Sequence, residues 1–278
     1  MVEMPGEALK RLLYSRGLYT VGSRVWLNKR RLARRGFQHV AVEMLVKEYD
    51  MARPQGLRGS LVWEEEFQGR RMSIVLPPGD VEPDAVLTSR QDASIVSWRE
   101  LASRLPSPPL PMIVIDMSMR FAHLEEELSK LKLQLALSLQ TVRDYLWDPH
   151  LAITSLEPGL EAQLNEILGI NKATLTSDKP STVLWGADAD RVIILRPDAP
   201  HKLTAEDVLE ADAFLIGGIV DRIPRPGLSR MLDNLVPWGL PRRIELRGSI
   251  IGVPDRINRI VEIVLKARYE YEGDVEKA

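Results

Sequence analysis

Cysteine is absent from the 278-residue sequence, and histidine is scarce. Without cysteine the chain can form no disulfide, no thiolate nucleophile and no Cys-ligated zinc site. The four histidines, His39, His123, His150 and His201, lie far apart, without the spacing of metal ligands. We therefore expect neither a metal site nor a disulfide framework.

A long apolar run and a strong net charge are also missing. No apolar segment approaches the ~20 residues that cross a bilayer, and the N-terminus lacks the pattern of a signal peptide. With 37 Lys and Arg against 39 Asp and Glu, the net charge of −2 identifies no partner by itself. The sequence therefore predicts a soluble, cytoplasmic protein that does not associate with a membrane.

Two common glycine-rich fingerprints are missing as well. No Gly-x-Gly-x-x-Gly follows the first strand of the α/β pattern, and no Gly-x-x-x-x-Gly-Lys occurs anywhere. These absences argue against a dinucleotide-binding fold and against a P-loop.

The glycine signal that does occur lies late in the chain, in an apolar run from Ala213 to Asp221. A continuous apolar run bounded by turn residues is typical of a central strand in a parallel sheet, which is covered on both faces. Gly217 and Gly218 carry no side chains where this strand ends, so a ligand could approach the backbone closely. Ligands in open α/β sheets bind outside the carboxyl ends of the strands. A ligand site near Gly217–Asp221 is therefore predicted, although strand packing and turn capping would explain the same residues.

Alternating strands and helices surround this run after a Pro-rich linker at 105–111. Strands separated by helices imply a parallel sheet with helices on its faces. We expect this domain to span 112–271, followed by an acidic tail at 272–278 that frays. Further strands are predicted at Met112–Ile115, Leu151–Thr154, Val192–Leu195 and Arg243–Leu246, and helices at Phe121–Leu146, Leu160–Leu168, Thr204–Glu210, Leu228–Leu235 and Pro254–Tyr269.

Residues 1–104 are predicted to form a separate, basic domain of mixed α/β structure. The first 58 residues carry about a dozen Lys and Arg against five acidic residues. Helices are predicted at Gly6–Arg16, Phe37–Tyr49 and Ser94–Arg104. A hairpin is predicted around the Gln68-Gly69 turn and is expected to end at Pro77-Pro78-Gly79.

A cationic run stands out within this domain, with five cations in seven positions. Such a run is often only a solvated surface. Here Trp26 and Phe37 lie close by in sequence, and the charge of the segment opposes that of the rest of the chain, which favours a surface that contacts nucleic-acid phosphates. The candidate RNA-binding residues are Lys29, Arg30, Arg31, Arg34 and Arg35.

The string Phe214–Asp221 follows a strand that ends at Leu195 and precedes a last strand and a helix containing Val261–Leu265. This arrangement resembles the SPOUT-class tRNA methyltransferases that methylate N1 of the purine at position nine. The resemblance covers roughly residues 112–266. One departure is Arg196-Pro197-Asp198, where the family pattern has a turn similar to Thr-Ala-Asp.

The resemblance implies a SPOUT-type parallel sheet with a C-terminal trefoil knot. It also implies a monomer that binds tRNA through its extra basic domain and holds S-adenosylmethionine in the knot, mainly by backbone groups. Asp221 is implied as the catalytic residue. The implied cofactor-binding residues are Leu195, Gly217, Gly218, Arg222, Leu240, Leu246 and Val253. Core packing would explain the apolar members of this set equally well.

The implied chemistry requires a carboxylate. Guanine N1 must lose a proton, which calls for a base, whereas adenine N1 has a lone pair but becomes cationic on methylation; a carboxylate serves either case. The extended N-terminal half is similar to archaeal members that act on adenine, so adenine is favoured. Ribose 2′-O methylation, a non-catalytic RNA-binding role and an α/β protein with a small-molecule ligand are the alternatives.

Overall fold

The structure, a computed structural model, describes residues 2–89, 94–119, 125–218, 230–250 and 252–278. The chain divides into two compact units. The N-terminal unit comprises residues 3–106 together with Arg143–Trp147, and the C-terminal unit comprises 1–2, 107–142 and 148–278.

The N-terminal unit contains a mixed six-stranded sheet in the order β3-β4-β1-β5-β2-β6. Strand β1 runs parallel to β4 and β5, and the other described pairs are antiparallel. Its elements are α1 (Pro5–Tyr14), β1 (Thr20–Ser23), α2 (Lys29–Lys47), β2 (Asp50–Ala52), β3 (Gly59–Phe67), β4 (Arg70–Val81), β5 (Ala85–Thr88), β6 (Ser94–Val96) and α3 (Trp98–Ala102).

The predicted hairpin is confirmed as β3 and β4, but it extends further than expected. Gln68 and Gly69 both have positive φ, which is typical of a two-residue hairpin turn. The pair does not end at Pro77–Gly79, because β4 continues through a bulge to Val81, which pairs with Gly59. A Cβ on Gly79 would lie 2.0 Å from the backbone of Gly59, so glycine permits this close crossing.

The second predicted helix starts at Phe37 as expected, directly after the non-helical Gly36, and the cationic run before it is helical as well, so that α2 contains both segments. The side chain of Asn28 accepts hydrogen bonds from the backbone N–H groups of Arg30 and Arg31 and caps the helix. At Gly36 the helix is kinked, with φ 35°. A Cβ there would lie 2.2 Å from the indole nitrogen of Trp63, so this kink requires glycine. The predicted helix at 94–104 is instead β6 followed by the short α3.

Gln38 links the start of the N-terminal unit to the five residues it takes from later in the chain. Its buried side chain accepts a hydrogen bond from the Gly6 N–H (2.8 Å) and donates to the carbonyl oxygens of Arg143 (3.0 Å) and Leu146 (2.8 Å). These bonds satisfy buried backbone groups, so losing them would leave polar atoms without partners.

The C-terminal unit contains the predicted parallel sheet, in the order β12-β10-β11-β7-β8-β9. Every described strand pair in it is parallel. Its elements are β7 (Met112–Asp116), α4 (Glu125–Tyr145), β8 (Leu151–Thr154), α5 (Leu160–Leu168), β9 (Thr174–Leu175), α6 (Pro180–Gly186), β10 (Val192–Leu195), α7 (Ala205–Glu210), β11 (Ala213–Gly217), α8 (Met231–Leu235), β12 (Leu240–Arg242) and α9 (Ile257–Glu270). The end of α4, from Arg143, belongs to the N-terminal unit.

The apolar run at Ala213 forms an interior strand, as predicted. Strand β11 lies between β10 and β7, and its first four residues are buried. The predicted capping arrangement of α7 is also confirmed: the Thr204 side chain accepts from the Asp207 N–H and the Asp207 carboxylate accepts from the Thr204 N–H.

Two predicted boundaries near the C-terminus are wrong. The last strand is Leu240–Arg242 rather than Arg243–Leu246, because pairing with β10 sets its position and outweighs the alternation of the later residues. Helix α9 begins at Ile257 rather than at Pro254. At this start the Ile257 N–H donates a hydrogen bond to the side chain of Gln134 at 2.8 Å.

The expected fraying of 272–278 is also wrong. Val275 is buried, and the Gly273 N–H donates to the Ala267 carbonyl oxygen at 2.8 Å. Lys266 Nζ reaches the carbonyl oxygen of Ala278 at 2.9 Å. In the described ranges no helix is both long and apolar enough to span a membrane.

Candidate functional site

The predicted glycine pair lies at the carboxyl edge of the parallel sheet. Gly217 pairs with Asp116 at the end of β7, and Gly218 follows immediately. The Gly218 N–H donates to the Asp116 carbonyl oxygen at 2.7 Å. A Cβ on Gly218 would lie 2.9 Å from that oxygen and 2.7 Å from Met117 Sδ. The close approach of β7 therefore already requires glycine at position 218, whereas Gly217 is partly exposed.

Asp116 is a fully buried carboxylate at this edge. Its Oδ1 accepts hydrogen bonds from the hydroxyls of Thr154 (3.3 Å) and Ser155 (2.6 Å). Its Oδ2 accepts from the N–H of Ser118 (3.1 Å) and from the Ser118 hydroxyl. The two bonds from Thr154 and Ser155 tie the end of β7 to the end of β8, and the two from Ser118 fix the turn after β7, so Asp116 holds the edge in place.

The remaining predicted cofactor residues lie at different positions along the strands of the parallel sheet. Leu195 is buried and ends β10, where it pairs with Ile216, the residue that precedes Gly217. Leu240 starts the edge strand β12 and pairs with Ile193, so it lies two residues earlier along β10 than Leu195.

Leu246 and Val253 lie in the segment after β12, where Leu246 exchanges backbone hydrogen bonds with Ser249 and the Val253 N–H donates to the Ile250 carbonyl oxygen at 3.3 Å. Asp221 and Arg222 lie outside the described residues.

The turn after β10, where the sequence departs from the family pattern, is built from paired charges. The buried Arg196 forms a bidentate pair with Asp233 on α8 (3.1 and 3.0 Å) and also binds Asp198 (2.5 Å). Arg230 binds the other oxygen of Asp198 at 2.7 Å. These pairs anchor α8 to the end of β10, beside the predicted cofactor edge.

The cationic run of the N-terminal unit divides into two groups. Lys29, Arg30 and Arg34 are exposed on the first turns of α2. Arg31 pairs with Asp144 at 3.3 Å, and the guanidinium of Arg35 lies 4.3 Å from the ring centre of Tyr145. Burial lowers the pKa of Arg31, and the nearby Asp144 acts in the opposite direction.

Two residues beside these sites were not among the sequence candidates. Trp26, just before α2, is 75% exposed. In the sequence Trp26 counted only as support for the cationic run, and an exposed tryptophan close in sequence to three exposed cations is typical of RNA contacts. Asp116 was visible only as the last residue of a strand, because its partners Thr154 and Ser155 are almost forty residues away.

The chain is similar to known proteins over both of its units. The family described as protein arginine N-methyltransferase SFM1-like matches residues 121–238, less than half of the chain. A tRNA (adenine(9)-N1)-methyltransferase of Sulfolobus acidocaldarius is 30% identical over 249 residues, which is 88% of this chain and 75% of the relative. A tRNA (guanine(9)-/adenine(9)-N1)-methyltransferase of Thermococcus kodakarensis is 28% identical over 272 residues, covering 95% of this chain and 69% of the relative.

The fold is shared with a solved structure. Sulfolobus acidocaldarius Trm10, crystallised with S-adenosylhomocysteine, has a TM-score of 0.67, with 23% identity, 99% of this chain covered and 81% of that chain. This likeness confirms the α/β fold with its parallel sheet. From the identity and coverage of the Sulfolobus sequence relative, we conclude that the chain belongs to the family of tRNA methyltransferases that act on N1 of the purine at position nine.

Proposed function

We propose that this protein transfers a methyl group from S-adenosylmethionine to N1 of the purine at position nine of tRNA. The proposal rests on the similarity to two tRNA methyltransferases, which spans 88% of the chain in one comparison and 95% in the other. The similarity therefore includes the N-terminal unit as well as the parallel sheet.

The described residues at the carboxyl edge fit the methyl donor. Leu195 offers an apolar wall, and the backbone of Gly217 is partly exposed where β11 leaves the core. Such an edge suits an adenosyl group, whose base needs apolar walls and whose polar atoms can bind backbone groups. When bound, S-adenosylmethionine supplies an electrophilic methyl group on sulfur.

In this proposal the segment after β12 passes through a C-terminal trefoil knot and covers the cofactor. Leu246 and Val253 lie in that segment. Arg222, Leu240 and the backbone at Gly217-Gly218 complete the proposed set. The role of Gly218 is to let β7 and β11 meet closely, and the role of Asp116 is to hold the resulting edge.

Asp221 is the proposed catalytic carboxylate. It would accept the N1 proton of guanine, or stabilise the positive charge that develops on adenine. We expect Asp221→Asn to lower the single-turnover rate by ~10²–10⁴-fold while S-adenosylhomocysteine still binds. An unchanged rate in this variant would remove Asp221 from the mechanism.

We further propose that tRNA phosphates contact Lys29, Arg30 and Arg34, and that Trp26 stacks on an unpaired base. Arg31 and Arg35 support this surface through Asp144 and Tyr145 rather than forming its exposed part. Position nine is stacked inside folded tRNA, so the base must be turned out, at a cost of a few kcal/mol. Phosphate contacts would offset part of that cost.

The finer features follow the relatives. We propose an archaeal-type enzyme that prefers adenine over guanine, because the 30% identical Sulfolobus relative is a tRNA (adenine(9)-N1)-methyltransferase. We also propose that it acts as a monomer, with the N-terminal unit as its own tRNA-binding extension, and that it works in the cytoplasm, where tRNA is its substrate.

An arginine side chain is the second candidate acceptor, because the SFM1-like family matches residues 121–238. That match begins after the main segment of the N-terminal unit, which ends at Pro106. The tRNA relatives also match the N-terminal unit, which favours RNA.

One experiment tests these alternatives. Unmodified tRNA transcripts with A or G at position nine, and separately a mixture of arginine peptides, are incubated with the protein and methyl-labelled donor. We expect 1-methyladenosine in the A9 transcript after nucleoside analysis. Label in a ribose, in peptides alone, or in neither substrate would overturn the proposal.

The RNA surface is tested by tRNA affinity as a function of salt. Replacing Lys29, Arg30 and Arg34 by Ala should reduce the slope of log K against log salt by roughly two to three, since each lost phosphate contact contributes about 0.7–0.9. The matched control replaces three exposed cations elsewhere in the same unit, Arg53, Arg71 and Arg99. Equal effects in both triple variants would contradict a specific surface.

A further inference from the structure

Two tryptophans stack on each other at the surface of the C-terminal unit. Trp185 lies near the end of α6, and Trp238 lies just before β12. Their ring centres are 5.5 Å apart and their planes differ by 26°. Trp238 packs against the core, but Trp185 remains 71% exposed. Stacking on Trp238 therefore holds Trp185 in place without removing most of its surface from water.

The pair borders an open cavity of about 550 Å³. The other lining residues are Asp188, Ala189 and Asp190. Both carboxylates are exposed, and in the described part of the chain neither takes part in an ion pair. The cavity thus combines an aromatic surface with two negative charges that lack a described counter-ion.

The cation that follows these carboxylates in sequence does not neutralise them. Arg191 pairs instead with Glu210 (2.5 Å), Glu206 (3.2 Å) and Asp207 (3.4 Å). Its backbone N–H and that of Asp190 both donate to the Asp212 carboxylate. The surroundings of the cavity are therefore acidic.

This cavity is separate from the proposed methyl-transfer site. Asp190 precedes β10 and Trp238 precedes β12, so both lie at the amino edge of the parallel sheet. Gly217 and Gly218 lie at the carboxyl edge of the same sheet. Since the two edges of a parallel sheet face opposite ways, methyl transfer leaves the tryptophan pair without a role.

The chemistry of the cavity selects its ligand. Tryptophan faces attract cations, and carboxylates attract them further. Nucleic acid would bring phosphates towards two unneutralised carboxylates, which would repel them. A guanidinium suits the cavity better than an ammonium, because its planar group can stack on an indole while its N–H groups bind a carboxylate.

We propose that Trp185, Trp238, Asp188 and Asp190 form a docking site for an arginine side chain on a protein partner. The guanidinium stacks on the exposed part of Trp185 and donates hydrogen bonds to Asp188 or Asp190. The proposal does not depend on the methyl-transfer reaction, since the two sites occupy opposite edges of the sheet.

The test follows the tryptophan indole N–H signals of the full chain by NMR during titration with Nα-acetyl-arginine amide. Nα-acetyl-citrulline amide, which has nearly the same shape without the charge, is the matched control. We expect arginine to shift the Trp185 and Trp238 signals and citrulline to leave them in place. The Trp26 signal, from an equally exposed tryptophan outside the cavity, should not move.

Variants complete the test. Asp188→Asn with Asp190→Asn should weaken arginine binding at least about fivefold, and Trp185→Ala by a similar factor. Asp188 has φ 51°, a conformation that Asn tolerates, so the double variant should keep the fold. Equal shifts with citrulline, no shifts with arginine, or unchanged affinity in both variants would overturn the proposal. Tighter binding of single-stranded oligonucleotide at Trp185 would replace it with a nucleic-acid site.

Discussion

Replacing Gly218 by alanine tests whether close strand packing or ligand binding requires glycine at position 218. The added methyl group would lie 2.7 Å from Met117 Sδ and 2.9 Å from the Asp116 carbonyl oxygen. The Met117 side chain can move away. The Asp116 oxygen cannot do so easily, because it accepts the 2.7 Å hydrogen bond from Gly218 itself.

The magnitude follows from these contacts. Adding a methyl group to a well-packed interior costs about 1–3 kcal/mol. Alanine also restricts the unfolded chain, which returns about 0.4–1 kcal/mol. We therefore expect Gly218→Ala to lower the unfolding free energy of the C-terminal unit by about 1–2 kcal/mol, with or without ligand.

Urea unfolding followed by circular dichroism, with and without S-adenosylhomocysteine, measures this effect. Gly186→Ala is the matched control, because a Cβ there meets nothing within 4 Å at the end of α6. It should be neutral or slightly stabilising. If Gly218→Ala keeps wild-type stability without ligand but loses ligand binding, close strand packing is not what requires glycine at this position.

Three further predictions concern stability. Burial lowers the pKa of His150 to about 4, against about 6.5 in the unfolded chain, so the contribution of the neutral His150 to the unfolding free energy is complete above pH 6.5 and is lost as the pH falls towards 4. His150→Asn should therefore reduce the loss of unfolding free energy between pH 7.5 and 5 by about 2 kcal/mol. An unchanged pH profile would refute this. Arg268 donates to two buried carbonyl oxygens near the end of α7 (2.8 and 2.9 Å), so Arg268→Met should cost about 2–4 kcal/mol in denaturant unfolding, whereas a loss below ~1 kcal/mol would mean that water replaces these bonds. Thr204→Ala removes half of the capping box of α7 and should cost about 1 kcal/mol, while Thr204→Ser should restore most of it.

The elements that the sequence predicted best carry their signals locally. Ala213–Gly217 is covered on both faces, so its continuous apolar run indicated an interior strand. Leu160–Leu168 was predicted with its observed bounds because Gly169, with φ 64°, ends the helix. The capping pair of α7 is likewise readable within four residues.

The elements that were missed depend on distant partners. Strand β12 was placed three residues late because its position is set by pairing with β10. The start of α9 depends on Gln134, more than a hundred residues earlier. Such contacts leave no local pattern, so no reading of neighbouring residues could locate these boundaries.

The candidate sites show the same division. The glycine pair was located at the carboxyl edge of the sheet from local sequence alone, since a strand ending is a local signal. The five cations looked equivalent, yet Arg31 and Arg35 are engaged by Asp144 and Tyr145. Because these partners lie more than a hundred residues away in the chain, the residues around the cationic run do not indicate them.

The contribution of Arg143–Trp147 to the N-terminal unit limits how the protein can be dissected. A fragment ending at Pro106 would leave the Gln38 amide without the carbonyls of Arg143 and Leu146, and Arg31 without Asp144. The unit is therefore not a transferable module, and a chimaera that exchanges it between relatives must exchange this distant segment with it.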